Sequence, residues 1–205
     1  MRRVPANLLR ASQVFVFEPP SGVIASLKQT MATVNRARMG KEPVQRSKLH
    51  FMLAWFHAVT VDRLRFSPLG WANKYEFGTA DQRTAFNCFD AWIDRVAGGK
   101  RSIDIDAIPW TALKISLGQV FYGGRVDNVF DQRMMTSFLE QIFTPEAFKE
   151  GFNLANLESM KFLELPDSFK RDDFMQFVDT LAEQSESPEW LGLPSSAELL
   201  IRAGA

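Results

Sequence analysis

The sequence predicts a mainly α-helical domain with a short strand–helix unit at its N-terminus. Three observations predict it. Apolar residues recur at three- and four-residue spacing through most of the chain. Helix-capping residues, prolines and glycine pairs punctuate those stretches. Only one short run early in the chain, Val14-Phe15-Val16-Phe17, reads as a buried strand, bounded by Glu18-Pro19-Pro20.

Taken in order, Ser21 follows the strand as a helix cap, with Ile24, Leu27, Met31 and Val34 at helical spacing. A lone strand cannot satisfy its own backbone groups, so residues 14–17 need partner strands or fray. Residues 36–46 are basic and polar with breakers Gly40 and Pro43, and read as a linker. Residues 47–66 form a helix that is apolar nearly all round between Phe51 and Val61. Such a helix is buried on several sides. Ser67-Pro68-Leu69-Gly70 ends it, and residues 71–77 form an aromatic connector. Thr79 with Gln82 matches a capping box, Phe86, Phe89, Ile93 and Val96 form one stripe, and Gly98-Gly99 closes the helix. After a polar loop at 100–107, Pro109 opens a helix with Leu113, Leu117, Val120 and Phe121 inward. Tyr122-Gly123-Gly124-Arg125 breaks it. Asp127 then caps a helix through Phe143, with Phe130, Met134, Phe138 and Ile142 at core spacing. Thr144-Pro145-Glu146 starts a short helix. Residues 151–167 lose helical periodicity and hold either two short strands, as a small hairpin near 151–165, or a long loop. Phe174, Phe177, Val178 and Leu181 mark a further helix, and Ser195 with Glu198 starts the last.

The bulk composition excludes several functional classes. Lys plus Arg equals Asp plus Glu at 24 each, which argues against nucleic acid or an anionic membrane as partner. No apolar run reaches the ~18 residues that a membrane-spanning helix needs. Arg2 and Arg3 are followed by Pro5 and Asn7 before any apolar run, unlike a secretory signal. The single cysteine, Cys88, permits no internal disulfide and fits a reducing compartment. Eighteen Phe and five Trp make the core aromatic-rich.

Residues able to do chemistry have structural readings. No Gly-x4-Gly-Lys-Ser/Thr loop occurs, so a phosphate cradle of that type is not supplied. Gly123-Gly124-Arg125 reads as a helix stop with glycine at positive φ. His50 and His57 lie seven apart on one helix, without a ligand at metal-binding spacing, and a buried imidazole bonded to a backbone carbonyl fits them best. Asp127 caps, Asp131 complements the helix dipole, and Arg125 and Arg133 remain to pair with carboxylates or a neighbour. A catalytic reading would need His57, Cys88 and the acidic cluster to converge from different helices. No catalytic, cofactor-binding or metal-ligating residue is therefore assigned.

Several strings go beyond class-level reading. They are Pro5-Ala6-Asn7-Leu8-Leu9-Arg10-Ala11, Val14-Phe15-Val16-Phe17-Glu18-Pro19-Pro20-Ser21-Gly22-Val23, and Leu53-Ala54-Trp55-Phe56-His57-Ala58. They continue with Pro68-Leu69-Gly70-Trp71, Lys74-Tyr75-Glu76-Phe77-Gly78 and Ile108-Pro109-Trp110-Thr111-Ala112-Leu113-Lys114. The longest is Tyr122-Gly123-Gly124-Arg125-Val126-Asp127-Asn128-Val129-Phe130-Asp131-Gln132-Arg133, and Trp190-Leu191-Gly192-Leu193-Pro194 closes the set. In this order and spacing they resemble the C-terminal motor region of dynein heavy chains, and the 127–133 wording is closest to the cytoplasmic branch. One departure is Val61-Asp62-Arg63, where the family usually shows Gln-Glu-Arg.

The resemblance implies a fold and a place. Residues 1–45 would be the end of the large subdomain of the sixth AAA+ module, and residues 46–205 its small helical lid. The parent motor folds six such modules into a ring, and its ATP is bound by other modules. This piece would have no cofactor and no catalysis of its own. Its partners would be the neighbouring modules. Intermediate, light intermediate and light chains, and microtubules, would be reached only through the parent complex, in the cytoplasm on the microtubule cytoskeleton. His57, Arg63, Trp71, Tyr122, Gly123, Gly124, Arg125, Asp127, Asp131 and Arg133 are the interface or structural candidates. The alternative is a free-standing helical adaptor or a decaying partial copy of a motor gene. Flanking genomic sequence carrying phosphate loops and a stalk would separate the two.

Overall fold

The computed structural model describes residues 5–15, 20–155, 157 and 160–204. Among them the chain is helical with almost no extended pairing. The helices are α1 (Ala6–Ala11), α2 (Val23–Thr33), α3 (Arg36–Met39), α4 (Arg46–Asp62), α5 (Thr79–Ala97), α6 (Trp110–Ile115), α7 (Val129–Ile142), α8 (Arg171–Leu181) and α9 (Ala197–Gly204).

Helix α4 is the axis of the core. Leu49 and the unbroken run Phe51–Val59 are buried, as all-round apolarity requires. α2, α5 and α7 pack around it, and α8 packs on α2. α5 presents Ala85, Phe86, Phe89 and Ile93 inward and ends at Gly98 in the left-handed region, φ 51°. α6 runs on into a π-helical segment, Ser116–Phe121, which Gly123–Arg125 ends as a 3₁₀ turn.

Of the strand expected at 14–17, Val14 and Phe15 are exposed and outside any ladder, and Val16 and Phe17 lie outside the described residues. The 151–165 region is a long loop closed by one antiparallel bridge, Asn153 with Glu164. Two backbone bonds flank it, Leu154 N to Leu163 O and Leu165 N to Phe152 O.

Local chemistry corrects several element ends. The supposed linker at 36–46 contains α3, capped by the Asn35 side chain, and its last residue, Arg46, opens α4 fully buried. Asp81, not Thr79 and Gln82, makes the cap of α5, accepting from the Gly78 N–H at 3.0 Å. Asn128, not Asp127, caps α7, accepting from the N–H groups of Phe130 and Asp131. Gly22, not Ser21, precedes α2. α9 begins at Ala197, one residue later than a Ser195 cap would place it.

The apolar stripe of α7 is shifted by one residue up to Leu139, while Ile142 faces the core as expected. Met135, Leu139 and Ile142 face the core, whereas Phe130 is 75% and Met134 41% exposed, and Phe138 is partly buried. Asp131 occupies the inward position because the 71–77 connector supplies it with donors. Val120 points outward for a related reason: the π-helical turn advances each residue by less than an α-turn, which rotates the face predicted at α spacing.

Candidate functional site

The motif residues of the 63–77 connector and of the 122–131 segment meet at one end of α4. An aromatic chain forms the floor. Trp71 packs on Tyr75 and Phe77, Phe77 on Tyr122, and Tyr122 edge-on to Phe56 at 5.2 Å. The Trp71 indole N–H donates to Thr60 O at 3.0 Å, so this buried ring leaves no orphan donor.

Charged groups tie the floor from both sides. Asp131 Oδ2 accepts from the Tyr75 hydroxyl at 2.7 Å, and its carboxylate takes the Ala72 N–H. Asp127 accepts from Asn73 at 3.0 Å and from Tyr75 at 3.3 Å. Burial and these two carboxylates push the Tyr75 hydroxyl well above its ordinary pKa. Asp131 is thus a tertiary tie and Asp127 a loop clamp.

Arg63 is buried beneath this layer. Its Nε and Nη2 donate to Gly70 O at 3.1 and 2.7 Å, and its Nη1 donates to Leu191 O. The guanidinium lies 5.3 Å from the Trp71 ring centre and 4.9 Å from that of Phe138. Burial lowers its pKa to about 10, and the Asp131 charge offsets part of that.

His57 Nδ1 and the Tyr122 hydroxyl share a buried 2.9 Å hydrogen bond. The expected backbone-carbonyl partner is replaced by a phenol, because the 122–125 turn brings Tyr122 under α4. His50 likewise meets a side chain: its Nε2 lies 2.9 Å from Asp90. An ionised carboxylate only accepts, so Nε2 carries the hydrogen. Asp90 and Asp94 on α5 also receive the two arms of the Arg46 guanidinium, and Asp90 receives Arg38 at 2.6 Å.

The glycines of the turn serve close approach rather than conformation. Neither Gly123 nor Gly124 is at positive φ. A Cβ on Gly123 would lie 1.6 Å from the Gly118 carbonyl oxygen. Arg125 is tied internally, 2.8 Å from Asp81, with its guanidinium also donating to Glu76 O. Arg133 is exposed on α7 and has no ion pair among the described residues.

The chemical groups that a catalytic reading would join have different partners. His57 belongs to Tyr122, the acidic pair to Tyr75 and the connector, and Cys88 is half-buried on α5 with its pKa raised by burial. Among the described residues no group of three or more His, Cys, Asp or Glu could hold a metal ion, and no helix is long and apolar enough to cross a membrane.

The sequence of the chain matches a known family. The model of the dynein heavy chain AAA lid domain matches residues 46–197. The chain belongs to the dynein heavy chain AAA lid family. It is 46% identical over 204 residues to the cytoplasmic dynein heavy chain of Drosophila melanogaster. It is 47% identical over 198 residues to that of Dictyostelium discoideum and 38% over 200 residues to that of Caenorhabditis elegans. Each alignment covers 97% of this chain and 4% of the relative, so the chain spans a small fraction of the curated relatives it matches.

Sequence reasoning missed the lid's second charge network, Arg46 and His50 on α4 against Asp90 and Asp94 on α5. A signal existed. Each pair is spaced i,i+4, so each shares a face, and the two faces carry complementary chemistry. Asp62 and Arg63, which follow Val61, are both buried and bonded.

The buried imidazoles give the lid a pH-dependent stability. Burial lowers the His57 pKa to about 4, partly offset by Asp81, and burial lowers that of His50 as well. The unfolded imidazoles titrate near the ordinary value of 6.5. As pH falls below that, the unfolded state takes up protons first, so stability is complete above about pH 6.5 and declines towards pH 4. For His57 alone the loss is on the order of 3 kcal/mol. Burial would raise Asp90, but the hydrogen bonds from His50 and Arg46 and the Arg38 charge outweigh it and hold the pKa at about 2. Its contribution is present above about pH 4 and is lost between there and pH 2. Urea midpoints measured from pH 7.5 to 4 should fall, and His57→Asn should flatten that slope. A flat wild-type profile would contradict the buried neutral imidazole.

Proposed function

We propose that the chain is the small lid of the sixth AAA+ module of a cytoplasmic dynein heavy chain, residues 46–205. Residues 1–45 are then the end of that module's large subdomain. An alignment over 97% of the chain that occupies only 4% of the relatives supports its being a piece of such a heavy chain, and the place in the sixth module rests on the resemblance of its motif strings. In this role the lid is non-catalytic. The histidines and the Asp127–Asp131 pair are engaged in internal ties, and ATP is bound and hydrolysed by other modules of a microtubule motor. The lid passes rigid-body motion to neighbouring ring modules. Intermediate, light intermediate and light chains and microtubules are reached through the parent complex, in the cytoplasm.

Of the two arginines first assigned to inter-module contact, Arg133 keeps that role in this reading, because it is exposed and unpaired among the described residues. Arg125 is an internal strut. In a full heavy chain, Arg133→Ala is expected to weaken microtubule-stimulated ATPase severalfold while the lid keeps its wild-type melting behaviour. Arg125→Ala should instead lower lid stability by about 1 kcal/mol, since half of its side chain is solvent-screened. Unchanged stimulation in the Arg133 variant would refute the coupling role.

A further inference from the structure

Helix α2 lies before the region matched by the lid family, yet it is fastened to the lid along its side and at both ends. Val23, Leu27 and Met31 are buried, with α2 against α4 and α8. At its N-terminus three backbone donors that no helix satisfies internally all meet carboxylates. Gly22 N–H donates to Asp62 Oδ1 at 3.0 Å, Val23 N–H to Glu186 Oε2 at 3.1 Å, and Ile24 N–H to Glu186 Oε1 at 2.8 Å. Arg65 braces the corner, 3.2 Å from Asp62 and 2.8 Å from Ser21 Oγ. Gly22 sits at φ 100°, and a Cβ there would lie 2.4 Å from Glu186 Oε2. Near the C-terminus of α2, Arg171 Nη2 donates to Met31 O at 2.6 Å, and midway Lys28 pairs with Asp179 at 2.9 Å.

The charges follow the helix dipole: an anion at the positive end and a cation at the negative end. Arg171 starts α8 and Glu186 lies in the loop after it, so one hairpin-like unit grips both ends of α2. We propose that α2 is a clamped strap and that Glu186 and Arg171 are its two latches. The rigid body that moves with the lid then begins at Gly22, well before Arg46. Whichever module its sequence belongs to, α2 carries a pull on the segment upstream of Gly22 directly into α4 and α8. Glu186 is half-buried and follows directly on the exposed residues 182–185, so a contact that captured this loop would release the strap. The mechanical consequence rests on the proposed lid role; the clamp itself does not.

Hydrogen exchange by NMR on the full 205-residue chain tests the clamp. First-turn amides of a helix ordinarily exchange almost freely, so protection of Val23 and Ile24 reports Glu186 directly. Glu186→Ala should speed their exchange about 10- to 100-fold, the range expected for hydrogen bonds to a charged group, while α4 interior amides hold. Arg171→Ala should loosen the 31–34 end instead. If Glu186→Ala unfolds the chain, Glu186→Gln, which keeps one acceptor oxygen, should expose one of the two amides. Free-peptide exchange at Val23 and Ile24 in the wild type overturns the proposal, as does unchanged protection in the Glu186 variants. The experiment needs no ring. A latched α2 beside a functionally silent Arg133→Ala motor would refute the coupling role alone, and an unlatched α2 would refute the strap alone.

Discussion

Arg63→Ala is expected to destabilise the chain by about 3–5 kcal/mol, the range of a truncated large core side chain combined with unpaired buried acceptors. Arg63 is 1% exposed. Its removal would strand the Gly70 and Leu191 carbonyls and leave a void between Trp71 and Phe138. It would also part three segments distant in sequence: the end of α4, the connector, and the 3₁₀ turn at Pro188–Leu191. Arg63→Lys keeps a charge but not the planar fork or the stacking, so it should recover less than half of the loss. Urea unfolding of the three proteins measures this. A loss below about 1 kcal/mol for Arg63→Ala would mean that Arg63 is not the tie described, because a surface arginine costs no more than that.

The second large effect concerns two adjacent glycines. Gly123→Ala places a methyl carbon 1.6 Å from a backbone oxygen, that of Gly118. A backbone atom cannot rotate away, so the π-helical segment must separate from the 3₁₀ turn. The His57–Tyr122 bond and the Arg125–Asp81 pair flank the site and would be strained with it. A loss of about 3 kcal/mol or more is expected. Gly124→Ala meets Gln119 O at 3.3 Å, which a few tenths of an ångström relieve, and should cost under about 1 kcal/mol. Thermal melts of both variants give the comparison. Equal losses would contradict the close-approach account and restore the conformational one.

Much of the fold was legible because α4 and α5 have strong local signals. All-round apolarity marked α4 as central, and the Phe86–Phe89–Ile93 stripe with Gly98 fixed α5. What was not legible depended on distant partners. Asp131 breaks the apolar stripe of α7 because Tyr75 and the Ala72 N–H await it across the fold, so a period count placed Phe130 and Met134 inward. Arg46 fell at the end of the supposed linker and Lys48 has no local signal of burial, yet both are buried, Arg46 against Asp90 and Asp94 and Lys48 over the Phe148 ring with Asp167 nearby. The cap of α2 comes from Glu186, which no local window contains. The resemblance named Arg63, Trp71 and Tyr122 as interface or structural candidates without indicating that they meet, and their places at one end of α4 became clear only from the hydrogen bonds and ring contacts.

The central claim is that these clustered residues hold a lid together and perform no chemistry on nucleotide. Titrating ATP and ADP into the chain by calorimetry, with phosphate release followed on the same samples, tests it most directly. The account predicts no saturable heat up to millimolar nucleotide and no phosphate release above buffer. Saturable binding in the micromolar range, or turnover lost on replacing His57, would contradict it.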